Sequence, residues 1–132
     1  MNSPNTLTAT AIVAIGGGIG AMLRYHAGRA VTSVAGPNAV FPWHTFLINV
    51  AGSLLMGLLA GWLAREGGGE SLRLLLGVGV LGGFTTFSAF SLETAMLMQR
   101  GLYGMAGAYA LGSVLAGVAG LFLGLSLMRG AA

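Results

Sequence analysis

Residues 82–91, Gly-Gly-Phe-Thr-Thr-Phe-Ser-Ala-Phe-Ser, set helix breakers, hydroxyls and three phenylalanines inside an apolar stretch. Gly82 and Gly83 lower helical stability, and Thr85, Thr86, Ser88 and Ser91 offer hydroxyls to the carbonyls that a break would free. The combination predicts a non-helical turn at membrane depth. Such a turn survives only where protein or a water-filled cavity covers it, and there it presents carbonyl oxygens to cations or amides to anions. A kinked but passive helix is the plainer alternative. Phe87 and Phe90 are three apart and share a helix face, so their electropositive ring edges could meet an anion. The same rings would equally suit lipid contact or packing.

Asn49 is the one amide in its apolar stretch, and its two N–H donors are costly in hydrocarbon without a partner. It must bond another helix or line an aqueous path. Tyr109 and Ser113 are four apart on a common face and could extend a track of neutral donors. Glu93 stands near the end of the third apolar stretch, where a carboxylate could carry protons, sit at the interface or pair with an arginine. His26 and His44 lie near stretch ends without further metal ligands, and no nucleophile-base pair is evident. Enzyme chemistry is therefore not expected.

The elements that must position these groups follow from composition. With 55% hydrophobic residues, 7% charged residues and 24 glycines among 132, the chain reads as a membrane protein. A bilayer core of about 30 Å needs roughly 20 apolar helical residues. Charge-free runs at residues 7–23, 46–64, 74–92 and 101–128 supply four transmembrane helices. The first could continue past Arg24 and Tyr25 toward Thr32, both side chains being able to snorkel. The loops between the runs are short, so residues 1–132 form a single four-helix domain. The lack of Lys or Arg before Arg24 argues against a cleaved signal peptide. The net charge of +3 is spread along the chain, with no aromatic-interleaved basic patch for nucleic acid. Cysteine is absent, so no thiolate or disulfide chemistry is available.

Small residues recur every fourth position in the fourth run, from Gly104 through Ala108, Gly112, Ala116 and Gly120 to Gly124. Shorter versions pair Gly16 with Gly20 and Gly57 with Gly61. These ridges permit close helix packing, within the bundle or across an oligomer interface. Gly77-Val78-Gly79-Val80-Leu81-Gly82 and Gly16-Gly17-Gly18-Ile19-Gly20-Ala21 fit nucleotide-binding glycine patterns, but no strand-turn-helix surrounds them, and packing is the better reading. Four spans put Arg65, Arg73 and Arg129 on one side and Arg24, Arg29 and Arg100 on the other, three against three. The positive-inside rule then selects no orientation, and insertion in both directions would allow an antiparallel dimer.

Residues 17–25 (Gly-Gly-Ile-Gly-Ala-Met-Leu-Arg-Tyr), 45–53 (Thr-Phe-Leu-Ile-Asn-Val-Ala-Gly-Ser) and 82–91 resemble, in this order, the Fluc (CrcB) fluoride channels. The resemblance covers essentially the whole chain. It implies an all-α integral membrane fold of four helices with the third broken at its centre, assembled as an antiparallel, dual-topology homodimer. It also implies two fluoride pores and a structural sodium ion at the dimer axis, held by the backbone carbonyls of Gly82 and Thr85. Phe87 and Phe90 would be the pore rings whose edges meet fluoride, Asn49 the pore asparagine, and Tyr109 and Ser113 the polar track. Arg24, Thr45, Ser88 and Glu93 match other family positions. The chain departs from the family at Gly117 and Ala89, where hydroxyl residues are more usual.

The function implied is passive, fluoride-selective export from the cytoplasm across a bacterial inner membrane, with fluoride, lipid and a second copy as partners and no reaction catalysed. A small proton-coupled multidrug antiporter relying on Glu93 is the alternative from another class. A non-transporting scaffold is a third, suggested by the glycine ridges alone.

Overall fold

The computed structural model describes residues 4–130, which are helical, with no strand among them. Four helices are long and apolar enough to cross a membrane. They are α1 (Thr6–Ala35), α2 (Trp43–Glu66), α3 (Glu70–Gln99) and α4 (Tyr103–Gly130).

The ends follow local chemistry. Asn5 caps α1, its side chain accepting from the Thr8 N–H at 2.9 Å. Gly67, at φ 65°, closes α2 in the left-handed conformation that glycine adopts without penalty. Helix α1 runs well past the apolar run that ends at Leu23, through Arg24 and Tyr25 to Ala35. Arg24 does not end it, because its guanidinium Nη1 donates to the Thr85 carbonyl of α3 at 3.1 Å.

The break in α3 is confined to two residues. Thr85 (ψ 161°) and Thr86 (φ −153°, ψ 116°) are extended, and the helix resumes over Phe87–Gln99. Thr86 caps the second half, its Oγ1 accepting from the Ala89 N–H at 3.2 Å. Upstream, Arg73–Leu81 is wound as a π-helix, with the Gly82 N–H reaching back to the Gly77 carbonyl. Hydropathy carries no sign of this wider winding. Such π turns shift the register of the downstream residues and collect at functional sites.

The bundle is built from two closely packed parallel pairs. In the first, Gly16 and Gly20 of α1 meet the backbone of α3: a Cβ on Gly16 would stand 2.6 Å from the Leu75 carbonyl oxygen. In the second, Gly57 of α2 and Gly124 of α4 let those two backbones touch, a Cβ on Gly124 coming within 2.7 Å of the Leu58 nitrogen. The glycine patterns of α1 and α3 are thus packing surfaces. The α4 ridge divides: Gly120 and Gly124 lie against α2, whereas Gly104 has no neighbour within 4 Å.

One sequence expectation needs correction. Arg24 reaches the break near the middle of α3, so it does not serve as a flanking charge. The tally becomes three arginines on one side, Arg65, Arg73 and Arg129, against two on the other, Arg29 and Arg100.

Candidate functional site

The break is held from α2. Asn49 accepts the Thr86 N–H on Oδ1 at 2.8 Å and donates from Nδ2 to the Thr86 carbonyl at 3.0 Å. One side chain therefore replaces both helical hydrogen bonds that Thr86 gives up, and a second Nδ2 hydrogen is left over. The two alternatives for Asn49 merge, since it binds another helix and also lines a cavity of about 330 Å³. Thr85, Phe87, Phe90 and Ser113 face the same cavity.

Ser113 is the notable member of this lining. Its hydroxyl oxygen is buried and has no hydrogen-bond partner, the one side-chain atom of this kind among the described residues. A buried hydroxyl without a partner is costly in protein and more so in a bilayer, so it points to a ligand or water in the cavity. The two rings beside it lie with centroids 5.5 Å apart and tilted by 40°. Phe87 is 79% exposed on the single chain, while Phe90 packs on the Tyr109 ring at 5.3 Å.

Tyr109 does not join Ser113 in the cavity lining, although the two share a helix face. It is fully buried, and its hydroxyl donates to Glu93 Oε2 at 2.6 Å. Thr45, also buried, donates to Glu93 Oε1 at 2.7 Å, and His44 Nε2 stands 3.1 Å from the same oxygen. Glu93 is thereby held by α2 and α4 together rather than by an arginine. The cluster adjoins the first cavity through Phe90, whose ring separates Phe87 from Tyr109.

On the other side of the break, Arg24, Thr45 and Ser88 line a larger cavity of about 580 Å³, together with Ala89. Ala89 brings no hydroxyl to this lining, and Ser88 and Thr86 do. Gly82 lines neither cavity. Its carbonyl has lost its helical donor, because the Thr86 N–H is taken by Asn49. The described residues contain no cluster of three or more His, Asp or Glu side chains for a metal.

Known proteins resemble this chain along nearly its whole length. The family profile described as "CrcB-like protein, Camphor Resistance (CrcB)" matches residues 11–125. The chain belongs to the CrcB family. It is 79% identical over 126 residues to the "Fluoride-specific ion channel FluC" of Novosphingobium aromaticivorans, covering 96% of this chain and all of that protein. It is 53% identical over 125 residues to the protein of the same name from Phenylobacterium zucineum, covering 93% and 97% of the two chains. With the Rhodopseudomonas palustris protein of that name the identity is 52% over 119 residues, covering 89% and 94%.

Within the CrcB fold of this chain, three groups at the site have roles that were not read from sequence. Thr86 caps the second half of α3 and receives Asn49, a role its place after a double glycine hinted at. His44 joins Glu93, and the signal was its adjacency to Thr45. Ser53 lines the smaller cavity and lies four residues after Asn49, on the same face of α2.

Proposed function

We propose that this chain is a fluoride-selective channel that lets the anion leave the cytoplasm passively across a bacterial inner membrane. The observation that carries this reading is the 79% identity, along the whole of its length, to a protein named a fluoride-specific ion channel. The family assignment does not favour the proton-coupled antiporter.

The chemistry of the cavity suits the task. Fluoride is small and strongly hydrated, so a narrow path must replace its water with donors. The second amide hydrogen of Asn49 and the unpartnered hydroxyl of Ser113 supply two, and the edges of Phe87 and Phe90 supply weaker ones. The Tyr109 hydroxyl, engaged by Glu93, acts at the far side of Phe90. Each contact stays weak enough to release the ion, as conduction requires. Arg24 raises the potential in the cavity it lines beside the break, which helps to draw an anion toward the protein.

The functional unit is an antiparallel homodimer. Gly82, Phe87 and Ser88 are exposed on the single chain at the break, and irregular backbone at membrane depth needs cover from protein or water. A second copy provides that cover, and the nearly balanced arginine tally permits its opposite orientation. The freed Gly82 carbonyl fits a structural sodium ion. The Thr85 carbonyl, which keeps a lone pair beside its bond to Arg24, fits as well. Two such oxygens from each copy suit a hard cation. Bound there, the ion would supply a fixed positive charge that holds the two breaks together.

The test is efflux from liposomes loaded with fluoride or chloride, with a potassium shunt. Fluoride leaves rapidly and chloride is retained. Properly inserted protein that passes no fluoride would falsify the assignment. Tagging both termini should reveal both orientations in cells; a single orientation sinks the antiparallel dimer and leaves the channel reading standing.

A further inference from the structure

Gly117 follows Ser113 by one helical turn on α4 and carries no side chain, which interrupts the row of hydroxyls on that helix. The space in front of it is not empty. A Cβ built on Gly117 would lie 3.4 Å from the hydroxyl oxygen of Ser53, on α2. A hydroxyl carried by residue 117 would sit one bond beyond that Cβ, so it and the Ser53 hydroxyl would compete for one place. Ser53 and Ser113 line the same cavity with Asn49, Phe87 and Phe90.

We infer that Ser53 is a fluoride-contacting residue that supplies from α2 the hydroxyl that Gly117 withholds from α4. The inference rests on the fluoride-channel reading. The ion's path then runs in the seam between two helices, with Asn49 and Ser53 on one wall and Ser113 on the other. The seam is built for this. The α2 and α4 backbones are parallel and in contact at Gly57 and Gly124, beyond the cavity, so side chains at 53 and 117 face each other at fixed depth. Asn49 and Ser53 are four apart and project from one face of α2. A serine hydroxyl turned into a membrane cavity needs an acceptor, and an anion is the acceptor that this channel brings past it. The chain thus keeps the number of donors while moving one of them across the seam.

The experiment relocates the hydroxyl. Fluoride efflux is measured for wild type, Ser53→Ala, Ser53→Ala with Gly117→Ser, and Ser53→Ala with Gly117→Ala, each reconstituted after gel filtration at the wild-type position. Losing one hydrogen bond to an anion should slow Ser53→Ala about tenfold. Placing serine at 117 in that background should bring flux back to within about threefold of wild type, because the space vacated by Ser53 now takes the new hydroxyl. Alanine at 117 fills similar volume and should not restore it. Wild-type flux from Ser53→Ala overturns the inference. Equal rescue by alanine and serine also overturns it, since volume alone would then explain the loss. Should Ser53→Ala fail to assemble, Ser53→Cys keeps the volume and weakens the donor, and it must slow flux for the inference to stand. Absence of fluoride flux from wild type is a different result: it removes the channel reading itself and the inference with it.

Discussion

Replacing Asn49 with alanine should loosen the break in α3 before anything else in the fold. The side chain makes two hydrogen bonds, at 2.8 and 3.0 Å, to the N–H and carbonyl of Thr86. Both peptide groups sit at membrane depth with no helical partner. Each buried polar group left unpaired costs about 1–3 kcal/mol. Thr86 is only partly buried and the adjacent cavity can admit water, so the lower part of that range applies, giving about 2–3 kcal/mol for the pair. At 1.4 kcal/mol per factor of ten, local opening at Thr86 becomes roughly 30- to 150-fold more frequent. Hydrogen–deuterium exchange by mass spectrometry reads this directly. The peptide covering residues 82–91 should lose protection by that factor, while one around Leu97 and Ala106, in the buried core, keeps it. Asn49→Asp retains an acceptor for the Thr86 N–H and loses the donor to its carbonyl, so its effect should be intermediate. Protection that changes by less than about threefold in Asn49→Ala would refute the reasoning, because the clamp would then not be what holds the break.

The remaining predictions concern the pore and the packing. Phe87→Ile or Phe90→Ile should strongly reduce fluoride efflux from liposomes while gel filtration finds assembly unchanged; normal flux from both mutants would dismiss the ring edges as ion contacts. In Glu93→Gln, the hydroxyls of Thr45 and Tyr109 no longer each meet an acceptor oxygen. Stability in detergent should fall by about 1–3 kcal/mol, read as a lower melting midpoint, with flux reduced as well. Gly20→Ala would press a Cβ into the Val80 carbonyl oxygen and to 2.8 Å from the Phe84 nitrogen, both backbone atoms that cannot swing away. The expected loss is about 1–3 kcal/mol. Gly18→Ala, with no neighbour within 4 Å, should stay within about 0.5 kcal/mol of wild type in the same melting experiment.

The architecture was legible because a bilayer forces simple patterns. Apolar run length marks a span, and glycine four residues from glycine marks a place where helices touch. The break was legible for a related reason: Gly82 and Gly83 weaken the helix and Thr85 and Thr86 offer hydroxyls within an apolar run, and the structure decides for a break at the two threonines over a passive kink. The continuation of the first helix past Arg24 toward Thr32 was legible too, and the structure carries it to Ala35, with the charge satisfied by a carbonyl from another helix.

What the sequence by itself determined is therefore the set of parts: four spans, a break at residues 82–91, and a short stock of polar groups among apolar ones. Only the tertiary structure decided how those groups pair. Tyr109 and Ser113 share a helix face, but Tyr109 points to Glu93 and Ser113 to the cavity. Asn49 turned out to clamp Thr86, and Ser53 to stand in front of Gly117. The physical reason is that periodicity places a side chain on a face of its own helix and says nothing about the face opposite. Hydrogen-bond partners 37 to 48 residues away, as for Asn49 with Thr86 and Thr45 with Glu93, exist only once two helices have come together at a given depth and rotation.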